Sequence, residues 1–210
     1  MIILPSAYLA PVGYYSYLAS GNQTVRDVGE HFVKQTYRNR CRILGARGVE
    51  TLVVPIEHAG SATHQAIKDL RISTHEPHWQ RHHWHSLRTA YEGTPFFMFY
   101  ADDLKPLYER PYTFLCDWNT DLENTICQLL GLQQTIATST TYIVATNCDT
   151  DLRKNFSTKA HSLPWNTPIP YWQIHAAPGS FVPNLSIVDL LFNLGPEARL
   201  LLQHSSSTEA

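Results

Sequence analysis

The densest set of side chains capable of chemistry is a basic segment at residues 34–42, which reads KQTYRNRCR. If residues 37–42 are extended, Arg38, Arg40 and Arg42 lie on one side of the strand. Guanidinium groups bind carboxylate or phosphate through paired hydrogen bonds that a lysine ammonium does not reproduce. The spacing therefore favours a strand face that holds an anionic substrate. The alternative is a charged strand edge that discourages aggregation.

A second set consists of five histidines interleaved with two tryptophans at residues 75–85. On a helix, His78 and His82 share a face, and His82 also neighbours His85. Imidazoles at this spacing bind a transition metal when further ligands complete the site. No second ligand pair is visible in the sequence, so we expect no metal. Two alternatives stay open for these histidines: a catalytic acid or base, and aromatic-polar packing.

Two adjacent carboxylates, Asp102 and Asp103, follow an aromatic run at residues 94–101. Either side chain could supply a general base or a cation ligand, although a helix cap is the simpler interpretation. The sequence contains no glycine-rich dinucleotide motif, no phosphate-binding P-loop, no HExxH and no GxSxG. These absences remove the simplest nucleotide, zinc-protease and serine-hydrolase assignments, and we expect no cofactor.

The charge balance argues against a general nucleic-acid binder. The chain has 16 Lys and Arg residues and 18 Asp and Glu residues, so its net charge is -2. Hydrophobic residues make up 43% and charged residues 16%, a composition typical of a folded globular chain. The apolar N-terminal stretch lacks a basic segment and is interrupted by prolines, and no apolar run is long enough to span a membrane. We therefore expect a cytoplasmic protein with reduced cysteines.

Hydrophobic periodicity and turn residues predict the elements that position these side chains. Strands are predicted at residues 2–4, 39–44, 50–56, 67–72 and 142–145. Helices are predicted from Pro11 to Leu18, at 78–92, 95–109 and 117–131, and from Ser186 to Gly195. The proline-rich residues 157–183 are expected to be irregular and could form a lid.

The order of these elements predicts a single α/β domain over residues 1–204, with a mixed sheet flanked by helices. A hairpin loop between Gly45 and Gly48 makes part of the pairing antiparallel, so α+β is the alternative fold class. Residues 205–210 are predicted to be a frayed tail.

Several of these segments, in order along the chain, resemble the WbqC-like family of bacterial proteins. The likeness lies at residues 7–15, 34–41, 52–56, 83–84 with 90–91, 94–104 and 183–197. The blocks at 34–41 and 183–197 are long enough to be specific, whereas residues 132–165 match least well. The chain departs from the common family start, because Leu4-Pro5-Ser6 stands where many members carry Gln-Pro. That departure leaves the identity of the substrate open.

The resemblance implies a role in surface-polysaccharide (O-antigen) biosynthesis, as a transferase that moves glycine, or forms another amide, onto an amino sugar. Amide formation needs an activated acyl donor, a base for the attacking amine and donors for the oxyanion. We therefore expect a small-molecule substrate, either an activated sugar or an acyl donor. The expected catalytic residues are His83 as base, Asn39 as oxyanion donor and Asp102, and the expected substrate-binding residues are Arg38, Arg40, Lys34 and Tyr37. A non-catalytic binding or assembly protein is the alternative.

Overall fold

A four-stranded parallel sheet lies inside the protein, whose computed structural model describes residues 1–57, 65–132, 136–157 and 169–206. The strands of the chain are β1 (Ile2–Pro5), β2 (Thr24–Asp27), β3 (Arg40–Gly45), β4 (Gly48–Val53), β5 (Ala137–Ser139) and β6 (Thr150–Asp151). The order across the parallel sheet is β5-β2-β1-β6. Every residue of β1 is buried, as its unbroken apolar sequence predicts for a strand of a parallel sheet.

The other two strands, β3 and β4, form an antiparallel hairpin, as the sequence predicts. Gly45 pairs with Gly48 at the end of the ladder. Gly48 adopts a φ of +107°, a backbone conformation that side chains with a Cβ rarely adopt. The hairpin is a sheet of its own. Parallel and antiparallel strands therefore occur together among helices, which confirms the predicted α/β fold with mixed strand directions.

Among the described residues, six helices surround these strands: α1 (Val12–Ala19), α2 (Trp79–Tyr91), α3 (Phe97–Glu109), α4 (Leu115–Leu129), α5 (Ile187–Leu194) and α6 (Ala198–Ser206). The ends of α2, α3 and α4 lie within two residues of their predicted positions. Ser186 caps α5, since its Oγ accepts a hydrogen bond from the Val188 backbone N at 3.4 Å. Gly195 ends that helix with a φ of +55°. One cluster of buried apolar side chains extends from Ile2 to Leu202.

The strand β2 is buried although two of its four residues are charged. Arg26 forms an ion pair with Glu123 of α4. The Tyr14 hydroxyl donates a hydrogen bond of 2.8 Å to the second oxygen of that carboxylate. Asp27 forms an ion pair with Arg153. Buried charges are tolerated only when they are paired and hydrogen-bonded. These partners are distant in sequence, so hydrophobic periodicity does not predict the strand.

Two predicted strands are wrong. At residues 67–72 the chain instead contains a 3-10 helix, Ile67–Asp69, whose first amides donate to the backbone of the loop after β2. At residues 142–145 no strand forms, because Tyr142 is largely exposed and lies against the guanidinium of Arg153, 4.3 Å from the ring centre.

The C-terminal part of the chain contains a helix that was not predicted, α6, which extends to Ser206. Residues 207–210 of the predicted tail lie outside the described part. Residues 169–183 contain no helix or strand, as predicted for that part of the proline-rich segment, whereas 158–168 are again outside the described residues. Within the described ranges, no helix is both long and apolar enough to cross a membrane.

Candidate functional site

A cleft of about 860 Å³ lies beside the open end of the β3–β4 hairpin. Its walls come from three segments, within residues 32–40, 53–57 and 73–76. A backbone hydrogen bond from Ser73 N to Pro55 O, 2.9 Å long, ties the third segment to the second. The cleft is therefore framed by paired backbone, and we name it the hairpin cleft.

Asn39 stands at the base of the hairpin cleft with one unpaired polar atom. Its Nδ2 donates to the carbonyl of Val54 at 3.0 Å, and the Val54 backbone N donates back to the Asn39 carbonyl at 2.8 Å. These two bonds fix the orientation of the side-chain amide. The remaining atom, Oδ1, is buried and has no partner among the described residues, while the residue as a whole is 5% exposed. A buried acceptor without a partner is costly, and a bound ligand or water would satisfy it.

Arg40 contributes a guanidinium to the same cleft, and Lys34 contributes an ammonium. The Nε of Arg40 is buried, and within the described ranges it has no hydrogen-bond partner. No carboxylate of the described chain forms an ion pair with either cation. Arginine binds phosphate and carboxylate through its planar fork, so an unpaired guanidinium in a cleft suits an anionic ligand.

Three further residues line the cleft: Glu57, His75 and Glu76. His75 belongs to the histidine cluster at residues 75–85, for which a catalytic acid or base was one of the alternatives. Neither glutamate was predicted as a catalytic or substrate-binding residue, and each stands alone in the sequence, Glu57 after β4 and Glu76 before α2. An imidazole and carboxylates are the side chains that most often accept protons in catalysis. The cleft therefore holds cations and potential bases together.

Arg38 does not line the hairpin cleft, contrary to the expectation of a continuous arginine face. The strand begins only at Arg40, and Arg38 lies in the preceding turn, where it is 2% exposed. Its Nε and Nη2 donate to the two oxygens of Glu30 at 2.9 and 2.6 Å, and Nη2 also donates to the Arg153 carbonyl at 2.9 Å. Burial raises the pKa of Glu30, against the opposing effect of Arg38. The Arg38 guanidinium therefore belongs to a buried ion pair with Glu30 and does not serve the cleft.

Buried charges also fill the carboxyl edge of the parallel sheet, where open α/β proteins usually bind ligands. Asp27 ends β2, and its Oδ2 accepts both from Arg153 and, at 3.0 Å, from the backbone N of Ile143. Arg153 also pairs with Asp151 through Nε at 2.9 Å. The charged groups of Asp27, Asp151 and Arg153 satisfy one another. The Nε of Arg26 in β2 is also buried without a partner among the described residues, but Asn39 and Arg40 carry such atoms and also line the hairpin cleft.

His83 is likewise outside the hairpin cleft and lies among aromatic rings. It is 7% exposed, its Nδ1 lies 2.9 Å from the Tyr8 hydroxyl, and its ring packs edge-on against Trp79. Burial lowers the pKa of His83 from 6.5 to about 4, against a hydrogen bond to the Val53 backbone that raises it. The imidazole is therefore neutral at pH 7. Its connection to the cleft is the hydrogen bond to the backbone of Val53, which forms part of the wall.

The remaining histidines predicted on α2 point outward, since His78, His82 and His85 are exposed. In the part of the chain that the structure describes, no group of three His, Cys, Asp or Glu side chains could hold a metal ion. Their spacing on the helix is as predicted, but nothing completes a ligand set around them.

Two other predicted site residues lie elsewhere. Asp102 is exposed on α3 and does not line the hairpin cleft. Tyr37 is buried, and its hydroxyl donates to the Asn184 carbonyl at 3.5 Å. Of the seven predicted site residues, the cleft thus brings together Lys34, Asn39 and Arg40.

Comparison with known proteins agrees with the resemblance seen in the sequence. The model of the WbqC-like protein family matches residues 6–161 and 139–200. The chain is 28% identical over 221 residues to "Uncharacterized protein Rv1507c" of Mycobacterium tuberculosis (strain ATCC 25618 / H37Rv), with 93% of this chain and 94% of that protein covered. No solved structure matches the chain. Because the family model covers most of the sequence, the protein belongs to the WbqC-like family.

Proposed function

We propose that the protein is a cytoplasmic transferase of surface-polysaccharide biosynthesis that binds a small activated substrate in the hairpin cleft. The observation that carries this proposal is the pair of neighbouring residues Asn39 and Arg40, which both line the cleft and each hold a buried polar atom without a partner among the described residues. Buried polar atoms are almost always satisfied in folded proteins. Two such atoms in adjacent residues of one cleft wall support binding of a polar ligand there.

The cations of the cleft would bind the phosphate or carboxylate group of the activated substrate. Arg40 would hold a phosphate or carboxylate through its fork, and Lys34 would add a second positive charge. Asn39 takes a different role from the oxyanion donor expected from the sequence. Its Nδ2 is engaged with Val54, and its free atom is an acceptor, which fits a hydroxyl or N–H of the substrate.

We further propose that the reaction forms an amide, such as transfer of glycine onto an amino sugar. The amine nitrogen attacks the carbonyl carbon of an activated acyl donor, the bond to the leaving group breaks, and the amine loses a proton to a base. His83 does not suit this role, because it is buried, and its Nδ1 is engaged with the Tyr8 hydroxyl. We assign the base to His75, an exposed imidazole on the wall of the cleft.

A titration of the protein with UDP-glucose and UDP-N-acetylglucosamine tests the binding half of this proposal. We expect saturable binding that Arg40→Gln weakens by about ten- to a hundredfold, the effect of losing a charge-assisted hydrogen bond. Lys105→Gln is the matched control, because it removes one positive charge from an exposed site on α3. Absence of saturable binding to either nucleotide, with the fold intact, would contradict the proposal.

Turnover is tested separately by mass spectrometry of UDP-glucosamine incubated with a glycyl thioester and the protein. The product expected from catalysis is the glycyl amide of the amino sugar, and His75→Gln should abolish its formation while sparing binding. Saturable binding without any amide product would instead favour the non-catalytic binding protein.

A further inference from the structure

The hairpin cleft carries opposite charges on different wall segments. Lys34 and Arg40 come from the first segment, whereas Glu57 and Glu76 come from the second and third. Among the described residues, none of these four side chains forms an ion pair with another. Opposite charges that share a cavity without pairing are free to bind the two ends of one ligand.

Asn39 and Arg40 of the cleft carry side-chain atoms of opposite hydrogen-bonding type that have no partner among the described residues. The Nε of Arg40 is a donor, so it meets an acceptor such as a phosphate or carboxylate oxygen. The Oδ1 of Asn39 is an acceptor in a residue that is 5% exposed, so it requires an N–H or O–H of the ligand. Together with two carboxylates, this acceptor favours a ligand that also donates several hydrogen bonds.

We propose that the hairpin cleft recognises a substrate carrying both an anionic group and an ammonium, and that Glu57 and Glu76 select the ammonium. The proposal rests on the proposed function, because it takes the cleft as the substrate site, and it adds the charge pattern of the substrate. An ammonium supplies three donors for carboxylate and amide oxygens, whereas a hydroxyl in the same place supplies one. Charge-assisted bonds of this kind are about twice as strong as neutral ones.

A matched set of sugar phosphates tests the inference. We would measure dissociation constants by isothermal titration calorimetry for glucosamine 1-phosphate, glucose 1-phosphate and N-acetylglucosamine 1-phosphate, which differ only at the second carbon of the sugar. Glucosamine 1-phosphate should bind about tenfold or more tightly than the other two, the effect of one charge-assisted hydrogen bond.

Variants distinguish the contribution of the carboxylates of the cleft from that of its cations. Glu57→Gln combined with Glu76→Gln should remove the preference for the amine and leave binding of glucose 1-phosphate unchanged or slightly tighter. Arg40→Gln should weaken all three phosphates alike. Glu109→Gln, an exposed carboxylate on α3, is the control and should change nothing.

Equal affinity for the three phosphates, unaffected by the glutamine variants, would overturn the ammonium inference and leave the proposed function standing. If none of the three phosphates binds and the nucleotide sugars also fail to bind, the proposed function itself falls, and this inference falls with it.

Discussion

The Tyr8 hydroxyl lies 2.9 Å from Nδ1 of His83, and the two rings stack with their centres 5.6 Å apart. A hydrogen bond to the Val53 backbone also acts on this imidazole and raises its pKa. Because Nδ1 lies beside the Tyr8 hydroxyl, we expect Nε2 to carry the proton of the neutral ring and to donate to Val53. His83 thereby links α2 to the end of β4, where the wall of the hairpin cleft begins.

This geometry predicts the protonation behaviour of His83. Nitrogen NMR of the labelled protein should show an imidazole protonated at Nε2 and unprotonated at Nδ1 at pH 7, with a pKa of about 4. The reason is that burial disfavours the charged ring. His82, which is exposed on the same helix, supplies an internal comparison. An ordinary pKa for His83, near 6.5, would mean that the ring is solvated and that its buried position is wrong.

Stability should fall as His83 is forced to protonate. Its folded-state pKa lies below its unfolded value, so the unfolded chain binds more protons between pH 6.5 and about 4. The contribution is fully present above pH 6.5 and is lost as the pH falls through about 4, amounting to roughly 3 kcal/mol. Urea unfolding at a series of pH values should show this decline in the wild type. In His83→Gln the decline should be shallower by a similar amount, whereas parallel curves would assign the acid sensitivity to other groups.

The helix α5 is expected to be structural. Leu191 is fully buried in the core cluster, so Leu191→Ala should lower the free energy of unfolding by about 2–5 kcal/mol. Leu200→Ala is the control, because Leu200 is 57% exposed on α6 and should cost under about 0.5 kcal/mol. Chemical denaturation measures both values, and a cost for Leu191→Ala as small as the control would show that α5 does not pack as described.

Asp189 is expected to hold the irregular segment that precedes α5. Its Oδ2 accepts from the Tyr171 hydroxyl at 2.7 Å and from Gln173 Nε2 at 3.0 Å, while its Oδ1 accepts from Tyr91 at 3.0 Å. Asp189→Asn replaces one acceptor oxygen with a donor, so at least one of these bonds is lost. Limited proteolysis should then cut within residues 169–183 faster than in the wild type. An unchanged cleavage rate there would show that other contacts hold the segment.

Local sequence signals were sufficient for α1 to α5 and the hairpin, because a capping serine, stop glycines and apolar periodicity act over a few residues. The helix α6 was not predicted. Local signals were insufficient for β2, whose Arg26 and Asp27 are buried only because Glu123 and Arg153 reach them from distant parts of the chain. Residues 142–145 gave the opposite error, because their apolar sequence predicted a strand that does not form. They resemble a core strand, yet Tyr142 is largely exposed and lies over the guanidinium of the buried Arg153.

The candidate site also combines features that local sequence predicts with features that depend on distant residues. The segment that contains Lys34, Asn39 and Arg40 was recognised from its composition, but the sequence does not distinguish Arg38 from Arg40. Their different surroundings depend on Glu30, which meets Arg38 only in the folded chain. The sequence does not mark Glu57 and Glu76 as residues of a substrate cleft, because single carboxylates form no motif, and only the pairing of their segments brings them to one cleft.

The most direct test of the account compares Arg38→Lys with Arg40→Lys, measuring the melting temperature and the affinity for UDP-N-acetylglucosamine of each. Arg38→Lys breaks the two-point contact with Glu30, so it should lower the free energy of unfolding by about 1–3 kcal/mol and lower the melting temperature accordingly. Arg40→Lys should leave the melting temperature nearly unchanged and weaken the ligand by about tenfold. The reverse pattern, with Arg38→Lys weakening the ligand at unchanged stability and Arg40→Lys destabilising the fold, would contradict the assignment of the hairpin cleft as the substrate site.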